Sequence, residues 1–220
     1  MLSTAALLTF LTALFLLQIS PGPDMMLVMA RGIGQGRRVA LLTVAGMILV
    51  SGVVQVGLLV LGVASLLQAY PAGLMVLQYA GAAYMLYLGL RMVLTSFSAE
   101  EKQVLQVAQI SNWAAVRQGA INNLTNPKSL LFMFAFLPQF VNAHGAPVWM
   151  QLLVLGVLQK LAGLISLGGV AMAAGTVGQW LYRWPRFLVW QQRFTGVVML
   201  ALGVRLLVTG HGGPAAAAKN

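Results

Sequence analysis

Residues Val39 to Leu90 read VALLTVAGMILVSGVVQVGLLVLGVASLLQAYPAGLMVLQYAGAAYMLYLGL, without one Asp, Glu, Lys, Arg or His. About 20 consecutive apolar residues cross the ~30 Å hydrocarbon layer as a helix. This stretch is long enough to cross twice, with a turn at Gln68 to Pro71. Upstream, Met1 to Pro23 is equally free of charge. Over the whole chain 60% of residues are hydrophobic and 7% charged, and the mean hydropathy is +0.87. Soluble domains carry roughly 25% charged residues, so this chain lacks the side chains to cover a water-facing surface. The expected fold is all-α: a polytopic membrane protein of about six transmembrane helices.

The absence of cysteine excludes disulfides, thiolate metal sites and Cys nucleophiles. A net charge of +10 would suggest nucleic acid in a soluble protein. Here the basic residues stand at the ends of apolar runs, where positive charge sets orientation instead. No Lys or Arg precedes the first apolar run and no small-x-small cleavage site stands before Pro21, which predicts a retained first helix rather than a signal peptide.

The first helix starts near Thr4 and is interrupted at Pro21-Gly22-Pro23, with Asp24 following and apolar residues to Ala30. Arg31 to Arg38 reads as a short Gly-rich basic loop. Further helices are expected over about 39–66, 72–94, 119–141, 148–177 and 195–208, the fourth broken by Asn122, Asn123, Asn126, Pro127 and Lys128. Arg183 to Arg193 reads as a polar loop. Alternate loops place Arg31, Arg37, Arg38, Arg91, Lys102, Arg117, Arg183, Arg186 and Arg193 on one side, against Arg205 and Lys219 on the other. Cytoplasmic loops carry the positive excess, so both termini are expected outside the cytoplasm. Trp113, Trp180, Trp184 and Trp190 fall at the inner edge, and Trp149 and Tyr70 at the outer one.

The halves resemble each other. Leu88-Gly89-Leu90-Arg91 with Thr95 matches Leu202-Gly203-Val204-Arg205 with Thr209, and Pro23-Asp24-Met25 aligns with Pro127-Lys128-Ser129. Residues 1–97 are expected to form a three-helix repeat, 98–117 a cytoplasmic linker, 118–210 a second repeat, and 211–220 a disordered tail, all within one transmembrane domain. Three is odd, so the second repeat must enter the membrane inverted. Inverted repeats are a recurrent transporter architecture, with sites near the midplane where paired helices break.

Asp24 is the one acid within an expected span. A charged Asp at a helix centre costs about 2.5–3.5 kcal/mol on insertion scales, so it should face an aqueous path or a partner. The surrounding Pro21, Gly22 and Pro23 disfavour a regular helix and free backbone carbonyls, which is tolerated only beside a cavity or in a protein interior. Asn126-Pro127 breaks the fourth helix, and Lys128 follows at a depth from which snorkelling is difficult. An Asp24–Lys128 pair, one member from each repeat, would offset the burial of both. Asn122 and Asn123 supply amides on the approach. Gln55, Gln159 and Lys160 are weaker candidates, since polar groups inside spans also serve simply to join helices. His144 and His211 lie in loops, so no His metal site is expected, and nothing calls for a cofactor.

The Pro21-Gly22-Pro23-Asp24 motif, the Arg31-Gly…Gly36-Arg37-Arg38 stretch, Gly81-Ala-Ala-Tyr-Met-Leu-Tyr-Leu-Gly89 and Asn122-Asn-Leu-Thr-Asn-Pro-Lys128 together resemble the lysine-exporter and homoserine–threonine-resistance family of bacterial amino-acid exporters. The resemblance runs from about Leu7 to Val208. It implies an inner-membrane secondary transporter that exports amino acids or close derivatives, with protons as the exchanged partner. By position it carries over Pro21, Gly22, Pro23 and Asp24, and Asn126, Pro127 and Lys128. Many relatives have an additional polar or acidic residue in the fifth helix; here that helix offers Gln159 and Lys160 but no acid, which leaves the substrate open. The lipid bilayer is the expected surrounding and nucleic acid is not a partner; a homo-oligomer remains open. A membrane-embedded enzyme is the rival class, but beyond Asp24 and Lys128 the spans hold no paired catalytic constellation. A passive channel and a metal-efflux protein are further alternatives. Broken, inverted helices argue for alternating access over the channel, and the missing soft ligands argue against metal efflux.

Overall fold

The computed structural model describes residues 4–19, 22–69, 73–97, 108–142, 145–183 and 185–209. Every regular element among them is helical. Helix α1 spans Thr4–Ile19 and α2 spans Pro23–Gln35; α3 is a rod over 37–69; α4 spans Gly73–Phe97. In the second half α5 spans Asn112–Leu124, α6 is a shorter rod over 127–140, α7 spans Val148–Arg183 and α8 spans Pro185–Thr209.

Local chemistry sets these boundaries. Pro23 opens α2 because a first-turn residue needs no amide hydrogen. Gly36 at φ 87° separates α2 from α3, adopting a left-handed backbone that other residues resist. Ser111 Oγ accepts the Ala114 amide at 3.2 Å and starts α5. Asn126 does the same for α6, its Oδ1 accepting from the Lys128 amide at 3.1 Å ahead of Pro127. Rod α3 widens to π-helical turns at Gly46–Val50 and Leu59–Val63, and α6 does so at Phe132–Phe136. Such turns often lie beside functional residues, and Ser51 to Gln55 sits between the two in α3.

Among the described residues three helical stretches are long and apolar enough to span a bilayer: Arg37–Leu67, Tyr79–Phe97 and Val148–Ala174. A fourth results if α1 and α2, bent by 41° at their junction, form one broken span. The surface agrees with a lipid environment. Leu61 is 75% exposed and Ile165 78%, an outward apolar face that water would not tolerate on this scale. Inside, Phe10, Leu59, Met85, Phe132 and Met199 form one apolar cluster, and Val28, Met47, Ile48 and Ala171 another.

Glycines make the close helix crossings, as expected where lipid removes the hydrophobic drive to associate. A Cβ on Gly46 would lie 2.0 Å from the Val116 carbonyl oxygen, and one on Gly119 would lie 2.1 Å from that of Thr43. Gly52 faces Lys160 at 3.4 Å, and Gly156 faces Val56 at 3.3 Å. Residues 52 and 156, like 56 and 160, are 104 apart, so the second contact is the first with the halves exchanged. The same holds between α4 and α8. Gly89 meets the Gly196 carbonyl and Leu200, while Gly203 meets the Ala82 carbonyl and Leu86, all related by a shift of 114. In both pairs the residue number rises along one helix as it falls along the other, so the helices are antiparallel.

Several expected boundaries move. Arg31 to Arg38 is not a loop: α2 continues to Gln35 and only Gly36 interrupts the helices. The i→i+4 hydrogen-bond ladder absorbs two glycines there because Arg31 and Gly32 are buried against neighbours. Helix α5 starts at Asn112, inside the stretch read as linker, because Ser111 supplies a cap. Arg183 to Arg193 is also not a loop, since α7 runs to Arg183 and α8 begins at Pro185. Arg193 there donates to Ser96 Oγ at 3.0 Å and lies 4.3 Å from the Phe97 ring centroid. The expectations for Pro21, Tyr70, Lys102, His144, Trp184 and the 211–220 tail lie outside the described residues.

Candidate functional site

The bend between α1 and α2 presents Asp24 to α5, and the break between α5 and α6 presents Lys128 back toward α2. Asp24 is half-buried, and each carboxylate oxygen takes an amide: Oδ1 accepts from Asn122 Nδ2 at 2.7 Å, Oδ2 from Asn123 Nδ2 at 2.6 Å. The carboxylate therefore keeps lone pairs for further donors. Lys128 lies across Gly22, whose absent side chain leaves its space: a Cβ there would be 3.3 Å from Lys128 Cδ and 3.7 Å from Nζ. Asp24 acts electrostatically on both Lys128 and Lys160.

Asn123 is the hub. Its Oδ1 accepts from Lys160 Nζ at 3.0 Å and lies 2.5 Å from Ser51 Oγ. Its backbone carbonyl, close to the helix break, accepts from Gln55 Nε2 at 3.1 Å. Gln55 Oε1 in turn accepts from Lys160 Nζ. Gln55 and Lys160 are both buried, so a chain of hydrogen bonds joins α2, α5, α3 and α7. Buried charge is tolerated in such a place only when it is paired or hydrogen-bonded, and here it is.

A cavity of about 50 Å³ lies among these groups, its polar lining including Asp24, Asn123, Asn126, Lys128, Gln159 and Lys160, with Gly22 beside them. That volume holds a few waters. Sites for small molecules usually enclose roughly 300–1,000 Å³, so the cavity as it stands is smaller than such a site.

Of the residues expected from sequence, Gly22, Asp24, Asn123, Asn126, Lys128, Gln159 and Lys160 come together at one cavity. Asn122 reaches it through Asp24, and Gln55 through Lys160. Pro23 is exposed, and Pro127 faces a separate apolar hollow beside Gly81 and Tyr84; both act by breaking helices. Ser51 and Gly52 were missed, although their position one turn before Gln55 could have raised them. Toward the far end of α2, Arg31, 4% exposed, donates to Gln35 at 2.6 Å, to the Ala108 carbonyl at 2.7 Å and to Gln118 at 2.5 Å. This ties α2 to α5 and to the segment before it. Among the described residues no group of His, Cys, Asp and Glu could hold a metal ion.

Antiparallel helices with glycine seams, a lipid-facing exterior and a buried polar centre between broken helices define an integral membrane protein. The chain belongs to the LysE type translocator family, whose pattern matches residues 15–210, as the sequence motifs imply. It is thus a translocator rather than an enzyme. It is 30% identical over 205 residues to an uncharacterized membrane protein of Pseudomonas aeruginosa, covering 90% of this chain and 93% of that one. It is 27% identical to the homoserine/homoserine lactone efflux protein of Salmonella typhimurium (89% and 93% covered). It is 24% identical to the leucine efflux protein of an Enterobacter species (90% and 93% covered). No solved structure matches the chain.

Proposed function

We propose that this chain exports amino acids or close derivatives across the bacterial inner membrane in exchange for protons. The observation that carries the reading is the meeting of one carboxylate and two ammonium groups, Asp24, Lys128 and Lys160, around one cavity. An α-amino acid carries opposite charges a few ångströms apart, and Asp24 and Lys128 offer their complements. The homoserine and leucine efflux relatives support the substrate class.

In this reading α1 with α2, and α5 with α6, are broken first and fourth spans, giving six spans in two inverted repeats. The exchanged contacts at offsets of 104 and 114 support the repeat, and the offset of 104 also relates Pro23 to Pro127 and Asp24 to Lys128. Exposed Arg37, Arg38 and Arg117 lie toward the Arg31 network, so that end faces the cytoplasm, the network seals it, and both termini lie outside. Asp24 is the proton carrier: protonation removes its charge and loosens its hold on the amides and the substrate ammonium, so proton entry and substrate release are linked.

Purified protein in proteoliposomes tests this. Asp24→Asn should abolish uptake driven by a pH gradient while leaving measurable substrate exchange. Normal accumulation by that variant excludes Asp24 as the coupling group.

A further inference from the structure

Two buried side-chain polar atoms lack a hydrogen-bond partner among the described residues: Arg31 Nε and Gln159 Oε1. Arg31 is not part of the cavity lining, and Gln159 is. Gln159 is only 5% exposed. A buried amide oxygen left unbonded is unfavourable, and it persists most readily where a ligand supplies the missing hydrogen.

The protein itself indicates what kind of hydrogen. The offset of 104 that exchanges Gly52 with Gly156 and Val56 with Lys160 also exchanges Gln55 with Gln159. In the first half Gln55 Oε1 accepts from an ammonium, Lys160 Nζ. That lysine reaches it from the position whose counterpart is Val56. Valine cannot return the bond, so Gln159 Oε1 is left without the ammonium its counterpart has. Asp24, lining the same cavity, supplies the negative charge such a group needs, and its oxygens each hold only one amide.

We propose that Gln159 Oε1 accepts a hydrogen from the α-ammonium of the transported amino acid, making Gln159 a specificity-determining residue for substrates with a free amino group. The inference rests on the amino-acid reading above. An ammonium has three hydrogens to place: Asp24 takes one or two, and Gln159 takes another. The carboxylate lies toward Lys128. The site then prefers an amino acid over the α-keto acid of the same carbon skeleton, which keeps the carboxylate and has no donor.

The test is counterflow in proteoliposomes with the common radiolabelled amino acids, taking the best substrate of the parent protein. Competition by that amino acid and by its α-keto acid is then measured for the parent, Gln159→Leu and Gln159→Glu. The leucine removes an unbonded polar group from the interior, so its thermal midpoint in detergent should equal or exceed the parent's. Its apparent affinity for the amino acid should fall about tenfold or more, as for the loss of a hydrogen bond to a charged group, with competition by the keto acid unchanged. Gln159→Glu retains an acceptor and should restore the preference for the amino acid. If Gln159→Leu keeps the parent's amino-over-keto preference, or weakens both ligands equally, the inference is overturned and Gln159 meets only water. If the parent shows no counterflow with any amino acid, the amino-acid reading itself fails and the inference with it.

Discussion

The two helix breaks solve one problem in opposite ways. At the first, Gly22 carries no capping side chain, Pro23 opens α2, and the following Asp24 has its charge held by amides from α5. At the second, Asn126 caps α6 with its own side chain, Pro127 follows, and Lys128 leans back over Gly22. The first break is thus completed by the other half of the molecule, and the second completes itself. A break that depends on another helix for its hydrogen bonds can be changed by moving that helix. The self-capped break acts as the firmer frame, and the Gly22–Asp24 break is the part expected to respond to protons and substrate.

Disrupting the charges should give the largest effects. Lys128→Met strands Asp24 beside one ammonium instead of two. Removing one partner of a buried charge pair costs about 3–5 kcal/mol, so folded yield and transport should both drop. Combining it with Asp24→Asn should recover yield without transport, because the charges leave together with the site. Size-exclusion yield, detergent thermal stability and uptake for the three variants decide the matter. Full transport by Lys128→Met would remove it from the site and turn attention to Lys160.

A smaller effect is expected at the hub. Asn123→Ala deletes side-chain bonds to Asp24 and Lys160, whereas Asn122→Ala deletes one bond to Asp24. At about 1.5–3 kcal/mol for each bond to a charged group, Asn123→Ala should lose more thermal stability than Asn122→Ala. Equal losses would mean that the bond from Lys160 to Asn123 adds nothing to stability.

The smallest effect distinguishes the caps. Asn126→Ala removes the cap of α6 and should cost about 1 kcal/mol, seen as a lowered midpoint with substrate exchange retained. Gly22→Ala removes no bond, but its Cβ would press on Lys128 Cδ at 3.3 Å. It should therefore alter apparent substrate affinity more than stability. A reversed outcome, with Asn126→Ala harming affinity and Gly22→Ala harming stability, would exchange the roles assigned to the two breaks.

Membrane character and both breaks were legible in the chain because they depend on local properties: apolar run length, proline without an amide hydrogen, and the cost of a charge in lipid. Asp24 and Lys128 could be singled out for that reason alone. The boundaries near Arg31 and Arg193 were not legible. Basic residues beside glycine or tryptophan read as loop when nothing says what they touch, and here they touch Gln118 and Ser96. Gln55, Gln159 and Lys160 were visible as polar residues within spans, but a side chain that joins helices and one that awaits a ligand have the same composition.

The sequence by itself therefore determined that this chain lives in a bilayer, where its helices break, and which charges the membrane would not tolerate unpaired. Tertiary structure decided which helix answers each of those charges. Reciprocal glycines, Gly46 and Gly119, bring α3 and α5 within backbone contact, so that Asn123, while bonded to Asp24 of α2, also meets Ser51 and Gln55 of α3. It also decided that Gln55 Oε1 is bonded while Gln159 Oε1 is not, since one position in the opposite half holds lysine and its counterpart valine. Hydrogen bonds depend on distances of a few tenths of an ångström, and for residues a hundred positions apart only the packed helices set those distances.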